Sequence, residues 1–437
     1  MKKYTKEKKQ ILQLSRLIAV VSVCFCLVIG CLFGSLFFIR PDKSMIEKRK
    51  LTEFPAFTFS SFLDGSFFND ISLWYSDTYP MRDTFIAMGQ SFQKNFYGPQ
   101  QKTMLKGGNK KGDDIPKSKK PIKTDKKVED IPENFSFDQA LQNQIMDGLY
   151  VNDGAAYSVY YFNQEAADTY ANQVINIAAK KLKGISNVYS LLVPNNSIVL
   201  PNETLKNLGG SDMEQAMKYY YSLYDGATGI ETVSTLKKHK DEYLYFKTDH
   251  HWTSLGAYYA YQNFCKEKGW KPHSLKKFKK MTFSPFLGTY YDELLLPEME
   301  KNPDSVTAYI PNSTNDMTYW DENGQEIQGH VIEDVSSWNR SSGYYCFING
   351  DQPLSIIDNP KKDDGSSCLV VKESYGNAFV PYLVDHYDKV YIADFRYTNI
   401  NVVDFAKEKN ITDVIFENNM SIIASTDVAL LAARLVQ

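Results

Sequence analysis

Between residues 368 and 416 strand-like and helix-like segments alternate, and this order constrains the fold more than any other stretch. Residues 368–372 (CLVVK) read as a strand, 375–387 as a helix, 389–395 as a strand, 402–410 as a helix and 413–416 as a strand. Strands joined through helices run parallel, and a parallel sheet is covered on both faces. The same scheme occurs earlier. Residues 164–183 carry apolar side chains near the 3.6-residue helical period, and 187–193 (NVYSLLV) form a buried strand ended by Pro194. Helices are also predicted over 211–224 and 253–268, the second capped by Thr253, and a hairpin over 148–162 around Asn152-Asp153-Gly154. The fold class is α/β with a mostly parallel sheet.

Residues 17–39 carry no charge. As a helix they would span roughly 34 Å, enough for a hydrocarbon core about 30 Å thick. The run exceeds the usual length of a signal-peptide core, and no clear small-x-small cleavage site follows it. An uncleaved single-pass anchor is therefore expected. Basic residues precede it (Lys2, Lys3, Lys6, Lys8, Lys9, Arg16) and follow it (Arg40, Lys43, Lys48, Arg49, Lys50), favouring a cytoplasmic N-terminus by a small margin. The expected organisation is a cytoplasmic basic tail (1–16), a transmembrane helix (17–39), a membrane-proximal segment packing on the main domain (40–105), a Lys-rich flexible loop (106–133) and an extracytoplasmic domain (134–437). The loop is assigned because its Lys, Asp, Pro and Gly cannot bury enough surface to offset ordering. The 49 Lys and Arg against 52 Asp and Glu, net −3, argue against a nucleic-acid partner. Cys24, Cys26 and Cys31 sit in the apolar run; Cys265, Cys346 and Cys368 lie far apart without a CxxC pair, so cysteines support no zinc site.

The densest polar constellation is Thr248-Asp249-His250-His251-Trp252-Thr253, just before a helix. In an extended backbone Asp249 and His251 share a face while His250 points away. A carboxylate beside an imidazole fixes its tautomer and stabilises the imidazolium, and a nearby helix N-terminus opposes that charge. Taken alone, the pattern also suits a turn cap with a packed histidine, or metal ligands; no second ligand pair lies nearby. A nucleophile for such a pair is Ser374 in LVVKESYGNAF, at a predicted strand end before a helix, the position where α/β hydrolases expose a serine. A helix cap is the plainer role for the same residue. Gly376 permits close backbone approach and Asn377 offers a side-chain donor for an oxyanion. Arg396 and Tyr397 follow the next strand, at the end where open α/β sheets bind ligands; a surface salt bridge and a packing ring are the alternative.

TDHHWTSLGAYYAY resembles the signature of the DHHW family, which is similar to alginate O-acetylation proteins of the AlgX/AlgJ type. EKRKLTEFP (47–55), TYPMRD, VPNNSIVLP, the serine block and DFRY occur in the expected order over about residues 45–420. The resemblance implies an SGNH hydrolase-like three-layer sandwich in which Asp and His precede Ser. It makes Asp249 the orienting acid, His251 the base, Ser374 the nucleophile, and Arg396 and Tyr397 a substrate segment. It departs from the pattern at Lys372 and Glu373, where small residues are usual. A glutamate there repels an anionic intermediate or faces away. The implied activity is transfer of an acyl group, most simply acetyl, to a polysaccharide through an acyl-serine, with the donor supplied by a membrane-bound O-acyltransferase and no cofactor or metal. An esterase using the same residues, or a non-catalytic glycan-binding or assembly protein of the envelope, are the other two readings; the Tyr-rich composition suits a glycan in each.

Overall fold

The structure, a computed structural model, describes residues 148–437 without a break. Before them it describes 49–63, 65–82, 111–119 and 126–132 with shorter pieces between. The chain divides into two compact units, Met1–Gly98 and Pro99–Gln437. Of the apolar run, only residues 20–25 and 28–30 are described, as helix; the rest of the expected anchor lies outside the described residues. Among the described residues no helix is long and apolar enough to cross a membrane.

In the first unit, helices Phe59–Leu63 and Ser66–Asp77 are joined through Gly65, whose φ of 85° a side chain would oppose. The Asp77 carboxylate accepts the backbone N–H and hydroxyl of Thr52, both at 2.8 Å. Arg40 lies over the Trp74 ring at 4.2 Å.

The second unit opens with strand Thr103–Lys106, which pairs antiparallel with the first strand of the expected hairpin. Strands β1 (Leu149–Asn152) and β2 (Ala155–Ser158) pair around Asp153 and Gly154, with φ of 49° and 73°, the two positive values a tight hairpin turn requires. Helices α1 (Gln164–Thr169) and α2 (Asn176–Lys181) run on through a π-helical stretch, Tyr170–Ile175. Then come β3 (Asn187–Val193), α3 (Met213–Leu223), β4 (Thr228–Ile230) and α4 (Ser254–Lys268). The antiparallel pair β5 (Lys279–Phe286) and β6 (Asp304–Ile310) stands apart from the main sheet. The chain continues through β7 (Asp316–Trp320), β8 (Glu326–His330), β9 (Leu354–Asp358) and β10 (Ser367–Lys372). It ends with α5 (Gly376–Phe379), β11 (Lys389–Asp394), α6 (Val402–Glu408), β12 (Asp413–Asn419) and α7 (Thr426–Ala433).

Among the described residues the largest sheet has eight strands, in the order β8-β7-β9-β11-β10-β12-β3-β4. The run from β11 to β4 is parallel, while β8, β7 and β9 join it through antiparallel pairings. The sheet is therefore mixed, which corrects the expectation of a mostly parallel one. The added strands escaped the sequence pattern because β8 is half-exposed along its length and contains one large apolar residue, Ile327. Every residue of β10 and of β12 is buried, so both faces of the sheet centre are covered. The helix expected over 375–387 is shorter: α5 gives way to a 3-10 turn at Val380–Tyr382, where Pro381 has no N–H to continue the ladder.

Candidate functional site

The site lies where β10 ends. The turn after β10 carries Ser374, and α4 is preceded by the Thr248–Thr253 segment. Asp249 and His251 meet, but not through an extended backbone: residues 247–251 form a bend, and His250 does not point away, its ring lying 3.8 Å from that of His251. The Asp249 Oδ1 oxygen lies 2.6 Å from His251 Nδ1 and also accepts the His251 backbone N–H at 2.9 Å. An ionised carboxylate only accepts, so Nδ1 carries the hydrogen and Nε2 presents its lone pair. Nε2 is 2.8 Å from Ser374 Oγ, which donates to it. Residues 123 positions apart thus form one hydrogen-bonded chain, and all three side chains are nearly buried, Ser374 and His251 at 6% exposure.

The sequence around each member explains the placement. Buried Asp304 accepts the N–H of Lys247 and Thr248 and the Thr248 hydroxyl, and is also bonded by the Tyr243 hydroxyl, so it anchors the bend that leads into the site. The second Asp249 oxygen accepts the Thr289 N–H at 2.8 Å. Gly288 lets that approach happen, since a Cβ there would sit 2.2 Å from Asp249 Oδ2. Trp252 Nε1 donates to the Tyr375 carbonyl at 2.9 Å, and the Tyr375 hydroxyl donates to the His250 carbonyl. These two bonds lace the histidine segment to the serine turn. Tyr344 completes the cradle: its ring stacks on His251 at 3.9 Å and 11°, and its hydroxyl donates to the Ser374 carbonyl at 3.0 Å. Burial pushes the Tyr344 phenol well above its usual range, so it stays a neutral donor. Tyr344, Asp304 and Gly288 were missed by sequence reasoning; no local motif marks them, because each acts across the fold.

The remaining predicted residues sit beside the serine turn in a different role. The Asn377 side-chain amide donates to Asp351 at 2.9 Å, and the Gly376 N–H donates to the Glu373 carbonyl at 2.9 Å, so both oxyanion candidates are engaged. Arg396 makes a two-toothed contact with Asp394 at 2.7 and 2.6 Å and reaches Asp351 at 2.8 Å; its side chain is 3% exposed. Lys372 bridges the same two carboxylates. Burial alone would raise the Asp351 carboxyl, but Arg396 and Lys372 outweigh that and hold it well below the usual range. Tyr397 is 39% exposed, with Arg396 lying over its ring at 4.9 Å. Asp394, Lys372 and Glu417 align in register on neighbouring strands, forming a row of ionisable side chains across the sheet's buried rim.

Ligand-type atoms of Asp249, His250 and His251 lie within 4.8 Å of one another, and these are the residues that could hold a metal ion. Doing so would draw His251 or Asp249 out of the hydrogen bonds just described. A cavity of about 430 Å³ is lined by Lys111, Asp113, Tyr161, Asn163, Glu165 and Ser421 among others; Asp249, His251 and Ser374 do not line it. The folded unit's Cys265, Cys346 and Cys368 are buried free thiols.

The profile of a family described as "DHHW protein" matches residues 47–147 and 121–393. A DHHW family protein from Eubacterium siraeum is 27% identical with a TM-score of 0.59, the match covering 65% of this chain and 93% of that one. Bacillus cereus PatB1, in a structure with a sulfonyl adduct, is 20% identical with a TM-score of 0.55, covering 64% and 97%. These two share the fold. The O-acetyltransferase domain of Pseudomonas putida AlgJ reaches a TM-score of 0.32 at 12% identity, covering 61% and 89%, too distant to carry weight. No curated protein matches the chain.

Proposed function

The chain belongs to the DHHW family, and from that premise we propose that it is a membrane-anchored, extracytoplasmic O-acyltransferase acting on an envelope polysaccharide. The single observation that supports catalysis is the unbroken chain Asp249–His251–Ser374. Ser374 gives its proton to His251 Nε2 as Oγ bonds to the acyl carbonyl carbon. Asp249 holds the Nδ1 hydrogen and stabilises the imidazolium. The imidazolium then protonates the leaving group as its bond to the acyl carbon breaks, leaving acyl-Ser374. A polysaccharide hydroxyl follows the reverse course: its proton goes to Nε2, its oxygen bonds to the acyl carbon, and Ser374 Oγ leaves and recovers a proton. Acetyl as the group, an SGNH-type fold and a membrane-bound O-acyltransferase as donor partner rest on the family resemblance read from the sequence.

The test is Ser374→Ala in the full chain, assayed by turnover of a chromogenic acetyl ester with folding followed by circular dichroism. Turnover should fall at least about 10³-fold with the fold intact. Retained turnover would remove Ser374 as the nucleophile and overturn the acyl-serine reading. In the wild type, acceleration by added oligosaccharide marks a transferase, and an unchanged rate marks an esterase.

A further inference from the structure

Glu373, which departs from the family pattern just before the serine, does not face away from it. It is fully buried and turned into the serine turn. Its Oε1 accepts the N–H of Asn419, at the end of β12, at 2.8 Å. Its Oε2 accepts the N–H of Tyr375, directly after the serine, at 3.1 Å, and lies 3.3 Å from Ser374 Oγ. One carboxylate therefore ties the turn that carries the serine to the neighbouring strand and borders the hydroxyl itself.

We infer that Glu373 is a positioning residue for Ser374, one that holds Oγ on the His251 lone pair by fixing the turn from both sides. The inference rests on Ser374 being the nucleophile. Three physical points carry it. A buried charge is costly, and an apolar residue would fill the same space without that cost, so packing alone does not account for a carboxylate. Two opposed N–H groups need two acceptor oxygens, which a carboxylate has and an amide lacks. The Ser374 hydroxyl has one proton; it goes to the closer partner, His251 Nε2 at 2.8 Å, rather than to Glu373 Oε2 at 3.3 Å.

The experiment compares full-length Glu373→Gln, Glu373→Asp and Ser374→Ala, using the chromogenic acetyl ester and a small sulfonyl fluoride as a Ser374-directed probe. Glu373→Gln should lower kcat about 10–100-fold per folded molecule, the scale of an ångström-level misplacement, with KM within about twofold. The sulfonylation rate should fall in parallel. Glu373→Asp, which restores both acceptor oxygens one methylene back, should recover only part of the loss and stay at least about threefold below wild type, a partial recovery that a merely space-filling role would not produce. If Glu373→Gln does not fold, Glu373→Asp decides: reduced kcat at unchanged KM supports the inference, and wild-type kcat overturns it. Wild-type kcat in Glu373→Gln alongside an inactive Ser374→Ala overturns positioning while leaving the nucleophile in place. An active Ser374→Ala overturns both.

Discussion

Replacing Asp249 by Asn tests the hydrogen-bonded chain at the atom where the geometry is most restrictive. The wild-type carboxylate accepts three N–H groups: His251 Nδ1 at 2.6 Å, the His251 backbone at 2.9 Å and Thr289 at 2.8 Å. An amide has one acceptor and one donor end. With its oxygen toward His251, its NH2 faces the Thr289 N–H, and a donor is left unpaired at a cost of about 1–3 kcal/mol. With its NH2 toward His251, Nδ1 must accept, the hydrogen moves to Nε2, and the ring loses the lone pair that takes the Ser374 proton. The backbone N–H of His251 then also meets a donor. Both orientations destabilise by a similar amount, and the second abolishes the base, so kcat should drop between about 10² and 10⁴-fold. The assay is steady-state turnover of the chromogenic acetyl ester, with thermal unfolding of the same preparation. A kcat within about threefold of wild type would refute the assignment of Asp249 as the group that fixes the His251 tautomer.

Gly288→Ala should disrupt the same site from the other side. The new methyl would meet Asp249 Oδ2 at 2.2 Å and its Cβ at 2.4 Å, displacing the carboxylate, lowering kcat at least about tenfold and costing about 1–3 kcal/mol in a denaturant melt. Glu417→Gln probes the buried rim. Both Glu417 oxygens lack a hydrogen-bond partner among the described residues, and burial, then the nearby Glu373 charge, push its carboxyl well above the usual range. A carboxyl raised in the folded state contributes stability that is complete below the unfolded value and is lost as pH rises toward the folded one. The Gln variant has no such loss, so its thermal midpoint relative to wild type should climb from pH 4 to pH 8, by about 2–4 °C per kcal/mol relieved. A difference that stays flat with pH would contradict a neutral Glu417.

Much of the α/β frame was legible in order and spacing. Asn187–Val193 coincides with the strand read from NVYSLLV, and Thr253 caps the helix it was expected to cap, accepting the Gly256 N–H at 3.4 Å. Those features are local: apolar runs, caps and turn residues act within a few positions. The β7–β8 hairpin was not legible, because strands half-exposed at a sheet edge leave little periodic signal. The same limit hid Tyr344, whose ring covers His251 only because the 3-10 turn Gly343–Cys346 is brought against the serine turn. Arg396 looked like a ligand group at a strand end, yet Asp351, 45 positions earlier, and Asp394 hold it.

The residue types of the chemistry, a carboxylate two positions before an imidazole and a serine at a strand end, were legible in the chain's own order, since spacing and the strand-to-helix turn are local properties of the backbone. That the imidazole meets the serine at 2.8 Å, that a glycine 39 positions beyond Asp249 makes room for its carboxylate, and that Glu373 turns inward were decided by packing. The last depends on how strands β10 and β12 pair in register, and no stretch of sequence contains both sides of any of the three.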